Sequence, residues 1–566
     1  MRWGPEILDG GSARFRLWAP DREALTLELD GADPLPMQRD SDGWFTVEAP
    51  AQPGARYRFR LDADLAVPDP ASRAQADGVH GWSILTDPDA YRWRTQGWRG
   101  RPWEEAVIQE VHAGVLGGFA GVAERLPELA DLGITAIQLM PIADFDGTRN
   151  WGYDGVLPYA VAAPYGTPDD LKALIDRAHE LGLMVLLDVV YNHFGPDGNY
   201  LGAYASGFFD ESTHTPWGGA VAVSKEPVKR FFIDNALMWL SEYRFDGVRF
   251  DAVHAIADNA FLDDMARQIR AALPDRHVHL VLENENNDPD RLAPGLYSAQ
   301  WNDDFHNVLH VILTGEDEGY YEAFTGSSTE KLARCLAEGF IFQGEVCGEH
   351  ERGAPSGHLP PTAFVSFLQN HDQVGNRALG ERLILLAGAD KLRSATALQM
   401  LMPQIPLLFM GEEAGSRSPF LFFTDFHDEL ADAVREGRRK EFAKFSAFAD
   451  PKVRETIPDP NAPETFTRSR PEPGPDAEEW RSFYGNLLAL RREHIAPRLA
   501  GARSLSVEVL GEGAILACWR LGDGVTLALT FNLGDEPVIF PPPEGQLLFE
   551  MGERGRPGSF LAWLAR

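Results

Sequence analysis

Eight short apolar runs alternate with helical stretches in the middle of this 566-residue chain, between about residues 103 and 445. In order they read AVIQEVHA, TAIQLMP, LMVLLDVV, DGVRFDA, HLVLEN, SAQWND, AFVSFLQN and PLLFMG. Runs of this length bounded by turn residues are typical of buried strands, and their alternation with helices indicates βα units. Eight such units predict an α/β fold, a (β/α)8 TIM barrel.

The segment TPDDLKALIDRAHELG illustrates the helical stretches between the runs. Thr167 is a natural N-cap, Pro168 suits the first helical position, and Gly182 is placed to end the helix. We therefore expect a helix between the second and third apolar runs that is capped at both ends.

The two flanks of the chain have a different pattern, in which apolar and polar positions alternate with the period of a strand. ARFRLWAP, ALTLELD and RYRFRL lie in the first 95 residues, and SLSVEVL, AILACWRL and VTLALTFN follow residue 502. Gly, Asp and Pro separate the N-terminal segments, which is typical of small β-sandwiches. We predict three domains: an N-terminal β-sandwich like a carbohydrate-binding module over 1–98, the barrel with a helical extension over 99–500, and a C-terminal β-sandwich over 501–566.

Three carboxylates each follow one of the apolar runs: Asp251, Glu283 and Asp372. In a (β/α)8 barrel the catalytic residues lie at the C-terminal ends of the strands, so these side chains are expected on one rim. Acetal hydrolysis needs a nucleophile, a proton donor and a group that holds the sugar hydroxyls. The three carboxylates match that requirement.

Arg249 precedes Asp251 by two residues, so both side chains point to the same face of the strand. The guanidinium can stabilise a carboxylate that acts as a nucleophile, although a purely structural Arg–Asp pair explains the spacing equally well. Glu283 ends an apolar strand, and its partly desolvated position suits a general acid. Alternatively, Glu283 is simply the first residue of an acidic loop.

Further polar and aromatic side chains surround these positions in the sequence. His371 precedes Asp372, and Asp188, Asn192 and His193 lie in LLDVVYNH at the end of the third run, although a lone histidine is more often a core residue. Tyr153, Trp217 and Trp301 are candidate platforms for the flat faces of sugars. Asp188 and Asn192, with Asp197 and Asn199, could bind calcium, but their spacing does not match a dedicated calcium loop. We therefore predict no metal and no cofactor.

The net charge of −33 argues against nucleic acid or an anionic membrane as a partner, because both would repel the chain. The N-terminal residues show no signal-peptide pattern, and glutamine and proline interrupt the longest apolar stretch, ALQMLMPQIPLLFM. Three scattered cysteines exclude a disulfide framework. These features predict a cytoplasmic protein.

Four segments in order, LLDVVYNH, DGVRFDAVH, LVLEN and FLQNHD, resemble the signature regions of the α-amylase superfamily of glycoside hydrolases. The resemblance implies that Asp251 is the nucleophile, Glu283 the acid/base, and Asp372 the group that holds and distorts the sugar at the cleavage point. It also implies supporting roles for other matched positions, which are Asp188, Asn192, His193, Arg249 and His371.

RNWGYDGVLPYA, HTPWGGA, SAQWNDDFHNVLH and FLQNHDQVGNRALGERL are similar to the branch of this superfamily that acts on maltooligosyl trehalose. That similarity implies hydrolysis of the α-1,4 bond next to the trehalose end, and a functional partner in the synthase that makes maltooligosyl trehalose. Two alternatives stay open. A glycogen branching or debranching enzyme shares all four regions, and a non-catalytic glycan-binding barrel is a further, weaker alternative.

Overall fold

The computed structural model describes residues 3–215, 218–256, 258–292, 295–347 and 350–566. Eight strands of this chain form a closed barrel. They are β1 (Ile108–Val111), β2 (Ala136–Leu139), β3 (Met184–Val189), β4 (Gly247–Phe250), β5 (His279–Leu282), β6 (Ala299–Trp301), β7 (Phe364–Ser366) and β8 (Ile405–Phe409). All neighbouring pairs are parallel, and β8 pairs with β1. The prediction of a (β/α)8 barrel is confirmed; seven strands lie within their expected runs, and β8 begins one residue before its run.

The apolar runs are continuous because the strands are covered on both faces. Every residue of β1 to β8 is buried, as expected for a parallel sheet whose outer face is covered by helices. Side chains such as Ile108, Met184, Val281 and Leu407 fill the interior. The longer helices of the chain are Gly118–Leu132, Pro168–Glu180, Glu226–Ser241, Asn259–Ala272, Asp303–Thr314, Ser328–Glu338, Ala389–Leu401, Asp428–Phe442 and Ala477–Leu490.

The helix Pro168–Glu180 begins and ends as its sequence predicts. The hydroxyl of Thr167 accepts a hydrogen bond from the Asp170 backbone N–H at 3.1 Å, and the Asp170 carboxylate accepts one from the Thr167 N–H at 2.9 Å. These two bonds form a capping box, which satisfies two backbone donors at the helix start. Gly182, with φ of 77°, follows the last turn in the left-handed conformation that glycine adopts most easily.

Two antiparallel sheets form the N-terminal region. One contains Glu6–Leu8, Ser12–Trp18, Trp44–Pro50 and Gln38–Arg39 in spatial order; the other contains Leu35–Pro36, Thr26–Leu29, Arg56–Arg60, Ser83–Ile84 and Ala74–Gln75, with Ala66–Val67 beside Arg56–Arg60. Phe15 of the first sheet meets Tyr57 of the second, with ring centroids 4.8 Å apart. The buried side chains therefore lie between the sheets, as in a β-sandwich.

Contacts with the barrel hold this N-terminal region in place. The Trp3 indole donates a hydrogen bond to the Pro227 carbonyl at 3.3 Å and packs edge-on against Phe231. Arg73 forms an ion pair with Glu242 at 3.1 Å.

The C-terminal strands form one five-stranded antiparallel sheet, in the order Arg503–Gly511, Ala514–Arg520, Thr526–Asn532, Phe560–Ala565 and Gln546–Met551. This differs from the two-sheet sandwich expected from the alternating pattern. The helices Ser328–Glu338 and Ala389–Leu401 pack against the sheet and supply its second layer. Alternation identifies a sheet with two unlike faces, but it does not distinguish a covering helix from a covering sheet. The boundaries at 98 and 500 remain predictions.

No helix among the described residues is long and apolar enough to cross a membrane.

Replacement of Thr167 by alanine tests the helix cap. Because the substitution removes the acceptor for the Asp170 N–H, we expect the free energy of unfolding to fall by about 1 kcal/mol. The measurement is the urea midpoint of the first unfolding transition. Thr167→Ser keeps the hydroxyl and is the matched control. An alanine variant as stable as the serine variant would contradict the assigned cap.

Candidate active site

The predicted site residues meet at the C-terminal ends of neighbouring barrel strands. Asp188 lies in β3 and Arg249 in β4, while Asp251 and Glu283 follow β4 and β5 directly. Because β4 pairs with both β3 and β5, these four side chains are brought together by strand register alone. Asp372 reaches the same rim from the short helix His371–Gly375, which follows β7.

Arg249 is fully buried at the centre of the site and binds three carboxylates. Its Nη1 donates to both oxygens of Asp188, at 2.8 and 2.7 Å, and to Oδ1 of Asp251 at 2.9 Å. Its Nη2 donates to Oε2 of Glu283 at 2.7 Å. One rigid guanidinium thus fixes the relative positions of the two carboxyls with the predicted catalytic roles.

A second donor fixes each of these carboxyls. Asn192 Nδ2 donates to Oδ2 of Asp251 at 2.9 Å and to its backbone carbonyl at 3.0 Å. The Ala252 backbone N–H donates to Oε2 of Glu283 at 2.8 Å. Ala252 has φ of 40°, in the left-handed region that alanine seldom adopts, so local backbone strain accompanies the contact to Glu283.

His371 and Asp372 form the opposite part of the rim, with a partner that the sequence analysis missed. His371 Nδ1 lies 2.7 Å from Oε1 of Glu110, and the His371 backbone N–H donates to Oε2 of Glu110 at 2.8 Å. Its Nε2 lies 3.4 Å from Oδ1 of Asp372. Burial by itself lowers the pKa of His371, but the charges of Glu110 and Asp372 outweigh it and raise the pKa to about 9.

Tyr153 and His193 line the side of the site near Asp188. The Tyr153 hydroxyl donates to Oδ2 of Asp188 at 2.8 Å, and its ring stacks on His371 with centroids 5.0 Å apart. His193 Nε2 lies 3.0 Å from the Tyr153 carbonyl, and its Nδ1 contacts the Asn192 side-chain oxygen. Burial lowers the pKa of His193 to about 4, so this imidazole is neutral at physiological pH.

The prediction that Trp301 forms a sugar platform is wrong. Trp301 is 1% exposed, and the Arg249 guanidinium lies over its ring at 4.2 Å from the centroid. Its position at the end of β6 directs the ring into the barrel, where it supports Arg249 by a cation–π contact. Trp217, the other tryptophan predicted to bind substrate, lies outside the described residues.

A cavity of about 950 Å³ opens at Glu283 and Asp372. Several further carboxyls line it, among them that of Asp303, which the sequence analysis assigned to a strand run and did not recognise as a site residue. Aromatic rings form much of its outer wall, and they are Tyr320, Tyr321, Phe324, Phe442, Phe445 and Phe448. A concave surface of carboxyls and aromatic rings suits a carbohydrate, which offers both hydroxyls and flat C–H faces.

The oxygen-rich residues considered for calcium serve other partners in this structure. Asp188 directs both oxygens to Arg249, and Asn192 holds Asp251. Asp197 lies instead near His80 and Asp146, in a group whose ligand atoms fall within 4.8 Å of one another. His80 Nε2 lies 3.4 Å from Asp197 and 3.5 Å from Asp146, so the imidazole already contacts both carboxyls of this group.

Comparison with known proteins agrees with this geometry. Residues 72–216 match the model of the alpha amylase catalytic domain, and residues 502–563 match a domain of unknown function, DUF3459. A crystal structure of a proposed alpha amylase from Salmonella typhimurium is 45% identical, with a TM-score of 0.94, and the match covers 100% of this chain and 99% of that one.

Curated relatives of similar length share one name. The malto-oligosyltrehalose trehalohydrolase of Deinococcus radiodurans is 41% identical over 94% of this chain and 90% of its own length. The enzyme of that name from Saccharolobus solfataricus is 40% identical over 88% of each chain. A branching enzyme of Bacillus caldolyticus matches less well, at 29% identity over 56% of this chain. The chain therefore belongs to the malto-oligosyltrehalose trehalohydrolase family of α-amylase-type glycoside hydrolases.

Proposed function

We propose that the protein is a retaining glycoside hydrolase that cleaves the α-1,4 bond next to the trehalose end of maltooligosyl trehalose. Its products are free trehalose and a maltooligosaccharide. The main support is the shared guanidinium of Arg249, which binds both Asp251 and Glu283, and Glu283 in turn lines the cavity. Double displacement at an anomeric carbon requires a pair of carboxyls, one as the nucleophile and one as the acid/base.

Asp251 acts as the nucleophile in this proposal. Its carboxylate attacks the anomeric carbon while the bond to the trehalose oxygen breaks, and an ester links the maltooligosaccharide to Asp251. Arg249 and Asn192 hold one oxygen each, so the carboxylate is oriented before substrate binds. A retaining mechanism requires a separation of roughly 5–5.5 Å between the carboxyl groups of Asp251 and Glu283.

Glu283 supplies and then recovers the proton. In the first step it donates a proton to the leaving oxygen, which departs as a hydroxyl of trehalose. In the second step its carboxylate removes a proton from water, and the oxygen of that water attacks the anomeric carbon and displaces Asp251. Glu283 ends the cycle protonated, and the maltooligosaccharide leaves with its original α configuration.

His371 and Asp372 bind the sugar whose anomeric carbon reacts. The imidazolium of His371, whose pKa Glu110 and Asp372 raise to about 9 against the effect of burial, donates a hydrogen bond to a sugar hydroxyl. Asp372 accepts hydrogen bonds from hydroxyls, and 37% of its side chain is exposed towards the cavity. Arg249, Asp188, Asn192, His193 and Tyr153 act by holding these groups in place.

The substrate defines the enzyme's metabolic partner. Maltooligosyl trehalose has to be formed by an enzyme that converts the reducing end of a maltooligosaccharide into a terminal trehalose unit. We propose maltooligosyl trehalose synthase as that functional partner, on the strength of the family relationship.

Product analysis tests the proposed function. The protein is incubated with maltooligosyl trehalose, with a maltooligosaccharide of equal length and with a branched glucan, and the products are separated by chromatography. We expect trehalose as the main product of the first and slow cleavage of the other two. New or lost α-1,6 branches without trehalose would instead indicate a branching or debranching enzyme, and no turnover of any substrate would indicate a binding barrel.

Asp251→Asn tests the assignment of the nucleophile. The amide keeps the shape of the side chain but cannot form the ester, so we expect kcat to fall by several orders of magnitude. Circular dichroism and the melting temperature serve as controls for the fold. Near-normal turnover in the variant would show that another group attacks the anomeric carbon.

Glu110→Gln tests the charge on His371. Loss of the Glu110 charge lowers the pKa of His371, so the alkaline limb of the kcat/KM profile should move to lower pH. The raised pKa also contributes stability below pH 6.5, and this contribution is lost as the pH rises through about 9. The variant should therefore be less stable than wild type near neutral pH, and the difference in stability between the two proteins should be smaller near pH 10. An unchanged alkaline limb would contradict a role for protonated His371.

A further inference from the structure

Asp303 is a cavity-lining carboxyl that the proposed mechanism does not use. It is the first residue of the helix Asp303–Thr314, directly after β6, and therefore lies on the rim between the ends of β5 and β7. The cavity there is also lined by Glu283 and Asp372. Gln373 Nε2 donates to Oδ1 of Asp303 at 3.2 Å. Within the described part of the chain, no other hydrogen bond reaches its carboxyl group.

The surroundings of Asp303 favour its neutral form. Burial, followed by the charges of Glu283 and Asp372, raises the pKa of Asp303 to about 8, and Asp304 adds to this. Arg352 acts in the opposite direction, but its guanidinium pairs with Asp304 at 3.0 Å. The helix N-terminus also favours a carboxylate, by about 0.3–1 kcal/mol, which corresponds to less than one pKa unit. The effect of burial and of the two neighbouring acids is therefore larger than that of the helix N-terminus, and the pKa of Asp303 stays raised.

The cavity takes in both sides of the cleaved bond, because Asp372, which holds the reacting sugar in the proposed mechanism, lines it together with Glu283. Glu283, which donates a proton to the leaving oxygen in the proposed mechanism, lines the cavity, whereas Asp251 is not among the described residues that line it. Of Glu283 and Asp372, Glu283 acts on Asp303 more strongly, so Asp303 lies on the side of the proposed acid/base. A sugar whose oxygen Glu283 protonates therefore lies within reach of Asp303.

We propose that Asp303 binds the departing trehalose unit as a neutral carboxylic acid that donates a hydrogen bond to a sugar oxygen. The inference rests on the proposed function and specifies one contact of its leaving-group site. Asp372 when ionised, and Glu283 once it has given its proton to the leaving oxygen, can only accept hydrogen bonds, so a sugar oxygen that needs a donor can obtain it from Asp303. With one oxygen held by Gln373, the other is free to carry the proton towards the ligand.

Trehalose is the probe that isolates this contact, because it is the departing product. Its affinity is measured by calorimetry at pH 6 for wild type, Asp303→Ala and Asp303→Asn. The asparagine amide is a permanently neutral donor and should bind within about threefold of wild type. The alanine variant should bind about tenfold more weakly, the effect of one lost hydrogen bond. Asp290→Asn, at an exposed position outside the cavity, is the matched control and should match wild type.

A second comparison at pH 9.5 separates a neutral donor from a charged acceptor. Wild-type Asp303 is ionised there, so wild type should lose affinity relative to Asp303→Asn. Other groups that titrate in this range, including His371, are present in both proteins and cancel in the ratio. This comparison does not need the alanine variant, so it still tests the proposal when Asp303→Ala does not fold.

Two results would overturn the inference. Equal trehalose affinity in wild type and Asp303→Ala would show that the side chain does not contact the departing sugar. A ratio of wild-type to Asp303→Asn affinity that is the same at pH 6 and pH 9.5 would show that its proton is irrelevant. If wild type neither binds trehalose nor releases it from maltooligosyl trehalose, the proposed function itself is wrong. If wild type does both and only the Asp303 variants behave differently from the expectation, the proposed contact alone is wrong.

Discussion

The active site depends on one buried cation, the guanidinium of Arg249. It joins β3, β4 and β5 by binding a carboxylate at the end of each strand, and the Trp301 ring packs beneath it. Removal of one partner from a buried ion pair typically costs about 3–5 kcal/mol, because the remaining charge loses its compensation. The same interaction therefore maintains the barrel rim and sets the geometry of the proposed nucleophile and acid/base.

The carboxyls around this cation differ in the groups that surround them. Asp251 and Glu283 are held by Arg249, and Glu110 is held by His371, so each of these carboxyls has a cationic partner. Among the residues that the structure describes, only the amide of Gln373 donates to Asp303, which lies beside two other acids. Carboxyls of one chemical type can thus serve as a nucleophile, a proton donor and a neutral hydrogen-bond donor, because their neighbours differ.

Much of the fold followed from short local patterns. All eight barrel strands were predicted, since a strand covered on both faces produces an unbroken apolar run. Position at a strand end also identified Asp251, Glu283 and Asp372. The single C-terminal sheet was not predicted, because alternation along a strand says nothing about which element covers it.

The remaining site residues escaped detection for physical reasons. Glu110 lies inside the run of β1 and Asp303 at the end of the β6 run, where each resembled a polar interruption of a strand. Their importance comes from contacts between different βα units of the barrel, Glu110 with His371 and Asp303 with Gln373, which are far apart in sequence. The prediction that Trp301 binds a sugar was wrong because an aromatic residue next to acids in the sequence can equally well pack in the interior.

The configuration of the first product tests the central claim most directly. Proton NMR can follow the anomeric signals of the maltooligosaccharide released from maltooligosyl trehalose, before mutarotation equilibrates them. Trehalose has no reducing end, so the new reducing-end signal comes from the cleaved anomeric carbon alone. Double displacement through Asp251 predicts the α anomer first. Initial formation of the β anomer would mean direct attack by water, and would contradict the roles assigned to the carboxyls that Arg249 holds.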